Sequence, residues 1–149
     1  MLYEWDLDND GLFDDATGVR PKFAAIDNSI FTVRVRVTDA GGLSSEDSST
    51  VTVKNVPPVI TSLTINNSVR VGVKLNAYAT FKDVGINDTF TATWKWGDGT
   101  TSAGTINDKT VNGSHIYAKP GIYLITITIK DKDGGVGQAY KLILVLPKR

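Results

Sequence analysis

Two stretches of strict alternation constrain this chain more than anything else in it. In residues 30–39, "IFTVRVRVTD", Phe31, Val33, Val35 and Val37 face one way while Thr32, Arg34, Arg36 and Thr38 face the other. In residues 122–131, "IYLITITIKD", Tyr123, Ile125, Ile127 and Ile129 alternate in the same manner with Thr126, Thr128 and Lys130. A period of two places alternate side chains on opposite faces of a pleated strand, so each stretch reads as a half-buried β-strand. Their likeness reads as a duplication, in which Trp5 matches Trp96, Gly41-Gly42 matches Gly134-Gly135, and Val51 and Val53 match Leu142 and Leu144 in the same order. No segment carries a sustained helical period. Short alternating strands separated by Gly, Asn, Asp and Pro turns predict an all-β chain of antiparallel sandwiches, each inner face packed on another sheet.

Between the copies lies "VKNVPPVITSL", where Pro57 and Pro58 donate no backbone hydrogen bond and favour an extended, semi-rigid path. The boundary is placed near Val56, giving modules 1–56 and 57–149. The second is of immunoglobulin-like size, with strands expected near 59–65, 73–82, 90–96, 104–111, 114–118, 121–131 and 136–146. The first is shorter. Residues 57–95 precede and include the tryptophan strand of the second copy, whereas the tryptophan of the first is the fifth residue of the chain, so the first module is expected to lack its opening strands.

Charge and cysteine usage remove several functions. Sixteen basic and sixteen acidic side chains cancel, which gives no electrostatic footprint for a nucleic acid or an anionic membrane. The absence of cysteine excludes disulfides, thiolate catalysis and zinc-thiolate sites together. No apolar run approaches the roughly 20 residues that cross a bilayer, and no charged-then-apolar leader precedes Leu2, so a fragment without membrane insertion is expected.

The segments "TATWKWGDGTTSAG", "SHIYAKPGIYLITITIKDKDGG" and "VKNVPP" resemble the polycystic kidney disease (PKD) domain. The resemblance covers 57–147 and, from "YEWDLDNDG" through "FTVRVRVTDAGGLSS", the later two-thirds of a preceding domain of the same kind. It implies a seven-stranded immunoglobulin-like sandwich, repeated in tandem in extracellular proteins such as surface-layer proteins, secreted proteases, collagenases and chitinases. It implies no reaction. Such modules act as spacers, adhesive units or accessory binding domains, which leaves a protein or polysaccharide partner open.

The residues that carry chemistry are few. In "WGDGTT", Asp98 stands between Gly97 and Gly99, where a short carboxylate caps backbone N–H groups of a turn; an acid pair would need a second carboxylate across a cleft. The N-terminal copy departs from this turn. Its "DLDNDGLFDD" sets Asp6, Asp8, Asp10, Gly11 and Asp14 at the first positions of an EF-hand-like calcium loop, with the Leu12 carbonyl and neighbouring Asp15 as further oxygens. Thr17 stands where an EF-hand has its bidentate glutamate, so a calcium site here would be weak, and a solvated acidic hairpin is the other reading. Trp94 and Trp96, two apart on one strand face with Ala92 and Phe90, read as core and not as a sugar platform. His115 has no partner histidine or cysteine nearby and reads as an ordinary strand residue. The glycine pairs lack the lysine and hydroxyl of a phosphate loop. Asn66, Asn87 and Asn112 begin Asn-X-Ser/Thr triplets of the kind that chance supplies. A non-catalytic extracellular spacer or adhesion module is therefore expected, with an accessory polymer-binding module as the rival and self-association through residues 1–56 as a consequence of the missing strands.

Overall fold

Because every long segment of this chain alternates, it has nothing to build but strands. The computed structural model describes residues 1–149 as β1 (Leu2–Asp6), β2 (Ala16–Thr17), β3 (Ser29–Thr38), β4 (Ser44–Val53), β5 (Val59–Ile65), β6 (Ser68–Arg70), β7 (Lys74–Lys82), β8 (Phe90–Lys95), β9 (Thr101–Ala103), β10 (Thr105–Asn107), β11 (Thr110–Ile116), β12 (Gly121–Asp131) and β13 (Val136–Leu146). They fall into two compact units, Met1–Asn55 and Val56–Arg149.

The second unit is a sandwich of two sheets, ordered β10-β11-β7-β5 and β6-β13-β12-β8-β9. All pairings are antiparallel except that of the short β6 with β13, which is parallel. Inward side chains of both sheets form one core: Leu75, Ala77, Ala79, Phe81 and Val111 from one, and Trp94, Ile125, Ile127, Ile129, Ile143 and Val145 from the other, joined by Trp96 and Tyr117. This is the immunoglobulin-like sandwich that the alternation implies. Gly113 exists for its lack of a side chain, since a Cβ there would meet the ring of Trp94, whose Nε1 donates to the Asn112 carbonyl at 3.3 Å.

Two expected strands are displaced. Residues 104–111 do not form one strand: β9 and β10 flank Gly104, and the long strand is β11 at 110–116, where 114–118 was expected. The Asp108-Lys109 turn, with Asp108 at φ 52°, reverses the chain between β10 and β11, a hairpin signal weaker than the Asn-Gly that usually marks one.

The first unit is a single sheet, β2-β1-β3-β4. Its pairing fixes the true register of the duplication. Phe31 pairs Val51 as Tyr123 pairs Ile143, so Val51 and Val53 correspond to Ile143 and Val145, not to Leu142 and Leu144, which are exposed. Likewise Trp5 pairs Val35 as Trp94 pairs Ile127, so the counterpart of Trp5 is Trp94 and not Trp96. The hairpin turns agree: Asp39 accepts from the N–H groups of Gly41 and Leu43, and Asp131 from those of Asp133 and Gly135. Gly42 therefore answers to Gly134, both at positive φ (85° and 92°), and Gly41 answers to Asp133. The unit thus repeats the β8, β12, β13 sheet without the strands that cover it in the second unit. Val33 is its sole buried apolar residue, at 8% exposure, although Phe23 packs edge-on against Phe31 at 5.2 Å.

Candidate metal centre

The acidic loop grows out of the end of β1. Asp6 is the last residue of that strand and is 0% exposed, while Asp8, Asp10, Asp14 and Asp15 lie at the surface. Asp6 Oδ2 accepts from Gly11 N at 3.1 Å and lies 3.9 Å from Arg34 Nη1; Asp6 Oδ1 is buried with no hydrogen-bond partner. Removing a carboxylate oxygen from water without a compensating donor or cation is costly, and this oxygen is the strongest local sign of a ligand. Turn geometry supports the loop from inside. Asp8 Oδ1 accepts from Asp10 N at 3.1 Å, Asp10 Oδ1 from Leu12 N at 2.8 Å, and Asn9 and Gly11 take φ of 62° and 92°.

Of the six residues singled out in sequence, the structure gathers the carboxylates of three. Asp6, Asp8 and Asp15 offer oxygens within 4.8 Å of one another. Asp10 and Asp14 are not in that group, and Leu12, itself 58% exposed, enters the loop through its N–H. The cause is the hairpin: β2 pairs β1 as Trp5 with Ala16 and Glu4 with Thr17, which sets Asp15 across from Asp6. An EF-hand coils its loop around the ion; here a clasp between strand ends does the gathering. Asp15 Oδ2 also accepts from Leu7 N at 2.6 Å and Asp8 N at 3.1 Å, which fixes one side of the group. A cleft of about 250 Å³ lined by Leu7, Asp8, Asp15, Phe23 and Ala24 opens beside it. Hard oxygen donors of this kind suit calcium.

A second acidic group was not visible in the sequence. Asp83 and Asp88 lie in the loop between β7 and β8, and Asp131 ends β12; their carboxylates also offer oxygens within 4.8 Å of one another. The register that pairs Phe90 with Asp131 brings these distant positions together, and only correct strand pairing could have revealed it.

The remaining candidates are structural. Trp94 and Trp96 are 0% and 1% exposed, stacked with centroids 5.5 Å apart. His115, read from sequence as an ordinary strand residue, does lie in a strand and also makes a specific contact: its Nε2 lies 2.7 Å from Asp98 Oδ2, and its ring stacks on Trp96 at 5.0 Å. Asp98 also accepts from Thr100 N at 3.0 Å and Thr100 Oγ1 at 2.6 Å. Burial pushes the Asp98 carboxyl up, but the bonds from Thr100 and His115 outweigh it and hold it down at about 2. Burial, with Asp98 and Tyr123 nearby, pushes the Tyr117 hydroxyl well above its ordinary value, and that hydroxyl donates to the Trp96 carbonyl at 2.7 Å.

Comparison with known proteins agrees with this architecture. No curated protein sequence matches the chain. Among solved structures, the PKD domain of an M14-like peptidase from Thermoplasmatales archaeon SCGC AB-540-F20 is 25% identical, covers 64% of this chain and all (100%) of its own, and superposes with a TM-score of 0.54. The PKD1 domain of Vibrio anguillarum Epp is 19% identical over 64% of this chain and 100% of its own, with a TM-score of 0.48. An ICAM-5 D1-D4 ectodomain fragment, 12% identical, covers 98% of this chain with 45% of its own at a TM-score of 0.53, a likeness of fold alone. The family model of the PKD domain matches residues 55–142, more than half of the chain and nearly all of the sandwich just described, and the chain therefore belongs to the PKD domain family.

Proposed function

We propose that this chain is a non-catalytic extracellular spacer and adhesion segment of a larger surface or secreted protein, with calcium held by Asp6, Asp8 and Asp15 stiffening its N-terminal unit. One observation carries the calcium reading: Asp6 Oδ1 is buried without a hydrogen-bond partner on a residue whose carboxylate groups with those of Asp8 and Asp15, their oxygens within 4.8 Å of one another. A divalent ion there would satisfy that oxygen, neutralise the repulsion and tie the end of β1 to the start of β2. Membership of the PKD family, whose modules are generally accessory and non-catalytic, supports the rest. So does the use of the chain's acid and imidazole groups: His115 and Asp98 are spent on each other and on Thr100, within the rim of the sandwich. No helix of the chain is long and apolar enough to cross a membrane.

Calorimetric titration with calcium tests the site. A dissociation constant of about 10⁻⁴–10⁻³ M is expected, as for extracellular modules with few ligands. Asp8→Ala should weaken it at least tenfold, since Asp8 is exposed and its removal leaves β1 intact. Unchanged heat in that variant would return the loop to a plain acidic hairpin.

A second reading is supported by one comparison, the similar PKD domain that belongs to a peptidase. In that reading the chain is an accessory module that holds a polysaccharide or protein polymer for an attached hydrolase. Co-sedimentation with insoluble chitin, cellulose and collagen separates the two: retention on one polymer favours the accessory role, and recovery in every supernatant favours the spacer.

A further inference from the structure

The charges that cancel over the whole chain do not cancel within its units. Met1–Asn55 carries five Lys and Arg against ten Asp and Glu, a net charge of −5, whereas Val56–Arg149 carries eleven against six, a net charge of +5. Within the second unit the signs are also sorted by position. Asp83, Asp88, Asp131 and Asp133 stand at the end formed by the β7–β8 loop and the β12–β13 hairpin. Strand register puts Arg70, Lys74, Lys95, Lys119 and Lys148 at the opposite end, where Lys74 pairs Ile116, Arg70 pairs Leu146 and Lys95 pairs Thr101. The one acidic side chain there, Asp98, is engaged by His115 and Thr100. Such a pole draws anions toward it.

A groove of about 440 Å³ opens beside this pole, on the outer face of the β10-β11-β7-β5 sheet, lined by Lys74, Asn76, Tyr78, Thr105, Asn112 and Ser114. These are the positions that alternate with the core residues Leu75, Ala77, Ala79 and Val111, so they face outward. Pairing sets Asn112 between Thr105 and Tyr78, and Ser114 beside Asn76. One side of the groove is the chain itself as it crosses between the sheets at Gly104, from β9 to β10. That wall is pinned: Gly104 N donates to the Ala92 carbonyl at 2.8 Å, and a Cβ at 104 would strike Val111 and Ala92.

The polar groups of the groove are unspent. The side chains of Lys74, Asn76, Asn112 and Ser114 make no hydrogen bond or ion pair within the chain, Tyr78 is 47% exposed, and no carboxylate lines the site. Most ligand pockets are largely apolar with a few polar groups, and this one has the reverse composition, which suits a ligand rich in hydroxyls. A nucleic-acid strand would call for a row of cations and successive aromatic platforms, whereas the groove has one of each.

We infer that this groove binds an acidic polysaccharide, one that carries carboxylate or sulfate groups among its hydroxyls. Lys74 pairs an acidic group, the Asn76 and Asn112 amides and the Ser114 hydroxyl bond sugar hydroxyls, and the Tyr78 ring lies against an apolar sugar face. The net charge of the unit steers the polymer to the site. Such a site presupposes the accessory, polymer-holding role and gives that role its ligand class.

The whole chain is titrated with two matched pairs, polygalacturonate with its methyl ester and dextran sulfate with dextran, in EDTA so that no ion bridges a polymer to the Asp6 loop. Calorimetry reads affinity, and amide NMR shifts read the place. The acidic member of at least one pair should bind at least tenfold more tightly than its neutral partner, with shifts concentrated at residues 74–78, 102–105 and 112–116. Lys74→Glu should weaken binding at least tenfold, and Asn76→Ala, which leaves the charge unaltered, at least threefold. Lys119→Glu changes the charge of the pole equally but lies outside the groove, and should cost only about twofold. All three positions are exposed, so thermal midpoints should match the parent and separate lost binding from lost structure. Binding that the two lysine variants weaken alike and Asn76→Ala leaves unchanged would overturn the site, and equal binding of the neutral polymers would overturn the acidic ligand class. Tighter binding of oligothymidylate than of either acidic polymer would overturn the polysaccharide. No binding of either acidic polymer, with retention on chitin, cellulose or collagen, would overturn the groove alone; no retention on any polymer would overturn the accessory role with it.

Discussion

His115 Nε2 stands 2.7 Å from Asp98 Oδ2, joining β11 of one sheet to the turn that follows β8 of the other. Both side chains are largely enclosed, 16% and 20% exposed, and Trp96 and Tyr117 pack against the imidazole. A glycine-flanked turn thereby becomes a clasp across the rim of the sandwich. Gly97 is bound to its place from the other side, because at φ 85° a Cβ would strike the backbone of Leu124.

The clasp predicts an acid-labile contribution to stability. Asp98 titrates at about 2 in the folded chain against an ordinary 3.8, so its contribution is fully present above pH 4 and is lost as pH falls through 2. A shift of this size corresponds to about 2 kcal/mol. Urea melts of the parent and Asp98→Asn at pH 7, 4, 2.5 and 1.5 should differ by that amount at pH 7, by clearly less at pH 2.5, and converge by pH 1.5. A constant difference across the series would remove the ionised carboxylate from the explanation.

Gly113→Ala is expected to destabilise the second unit by roughly 1–3 kcal/mol, the usual cost of forcing a methyl into a filled core. The added carbon meets the Trp94 indole, which is 0% exposed and has nowhere to move. Near-ultraviolet circular dichroism and thermal melts check it: the tryptophan signal should weaken along with the midpoint, and an unshifted midpoint would show that the ring yields freely.

The alternation of β3 and β12 made the strands, the core face of the second unit and the placing of Trp94 and Trp96 readable in the sequence, because a period of two has one structural meaning wherever one face is buried. Register was less readable. Leu142, Ile143, Leu144 and Val145 are all apolar, so the sequence does not distinguish the inward pair Ile143 and Val145 from the outward pair, and the repeat was aligned one residue out. The acidic loop was legible as composition, but the partner that closes it, Asp15, is set by the β1–β2 hairpin and not by loop spacing. The Asp83, Asp88 and Asp131 group and the His115–Asp98 clasp join residues far apart in the chain, where local pattern carries no signal.

The single sheet of the first unit bears on association. Trp5, Phe31, Val35, Val37, Val51 and Val53 are only half-buried on the face whose counterpart in the second unit is covered by β5, β7 and β11. We propose that a second copy covers this face through residues 1–56, burying it and satisfying the open strand edges. Sedimentation velocity across a hundredfold concentration range should show a monomer-dimer equilibrium that Val35→Lys shifts toward monomer. A monomer at every concentration would set the idea aside.

The most direct test of the account is hydrogen exchange with and without calcium. With 20 mM calcium present, the amides of Leu7, Asp8, Gly11 and Leu12, and those of the β1–β2 hairpin, should exchange at least tenfold more slowly, and Asp8→Ala should abolish the difference. Exchange in residues 2–17 that is the same with calcium as without it would contradict a calcium-stiffened module.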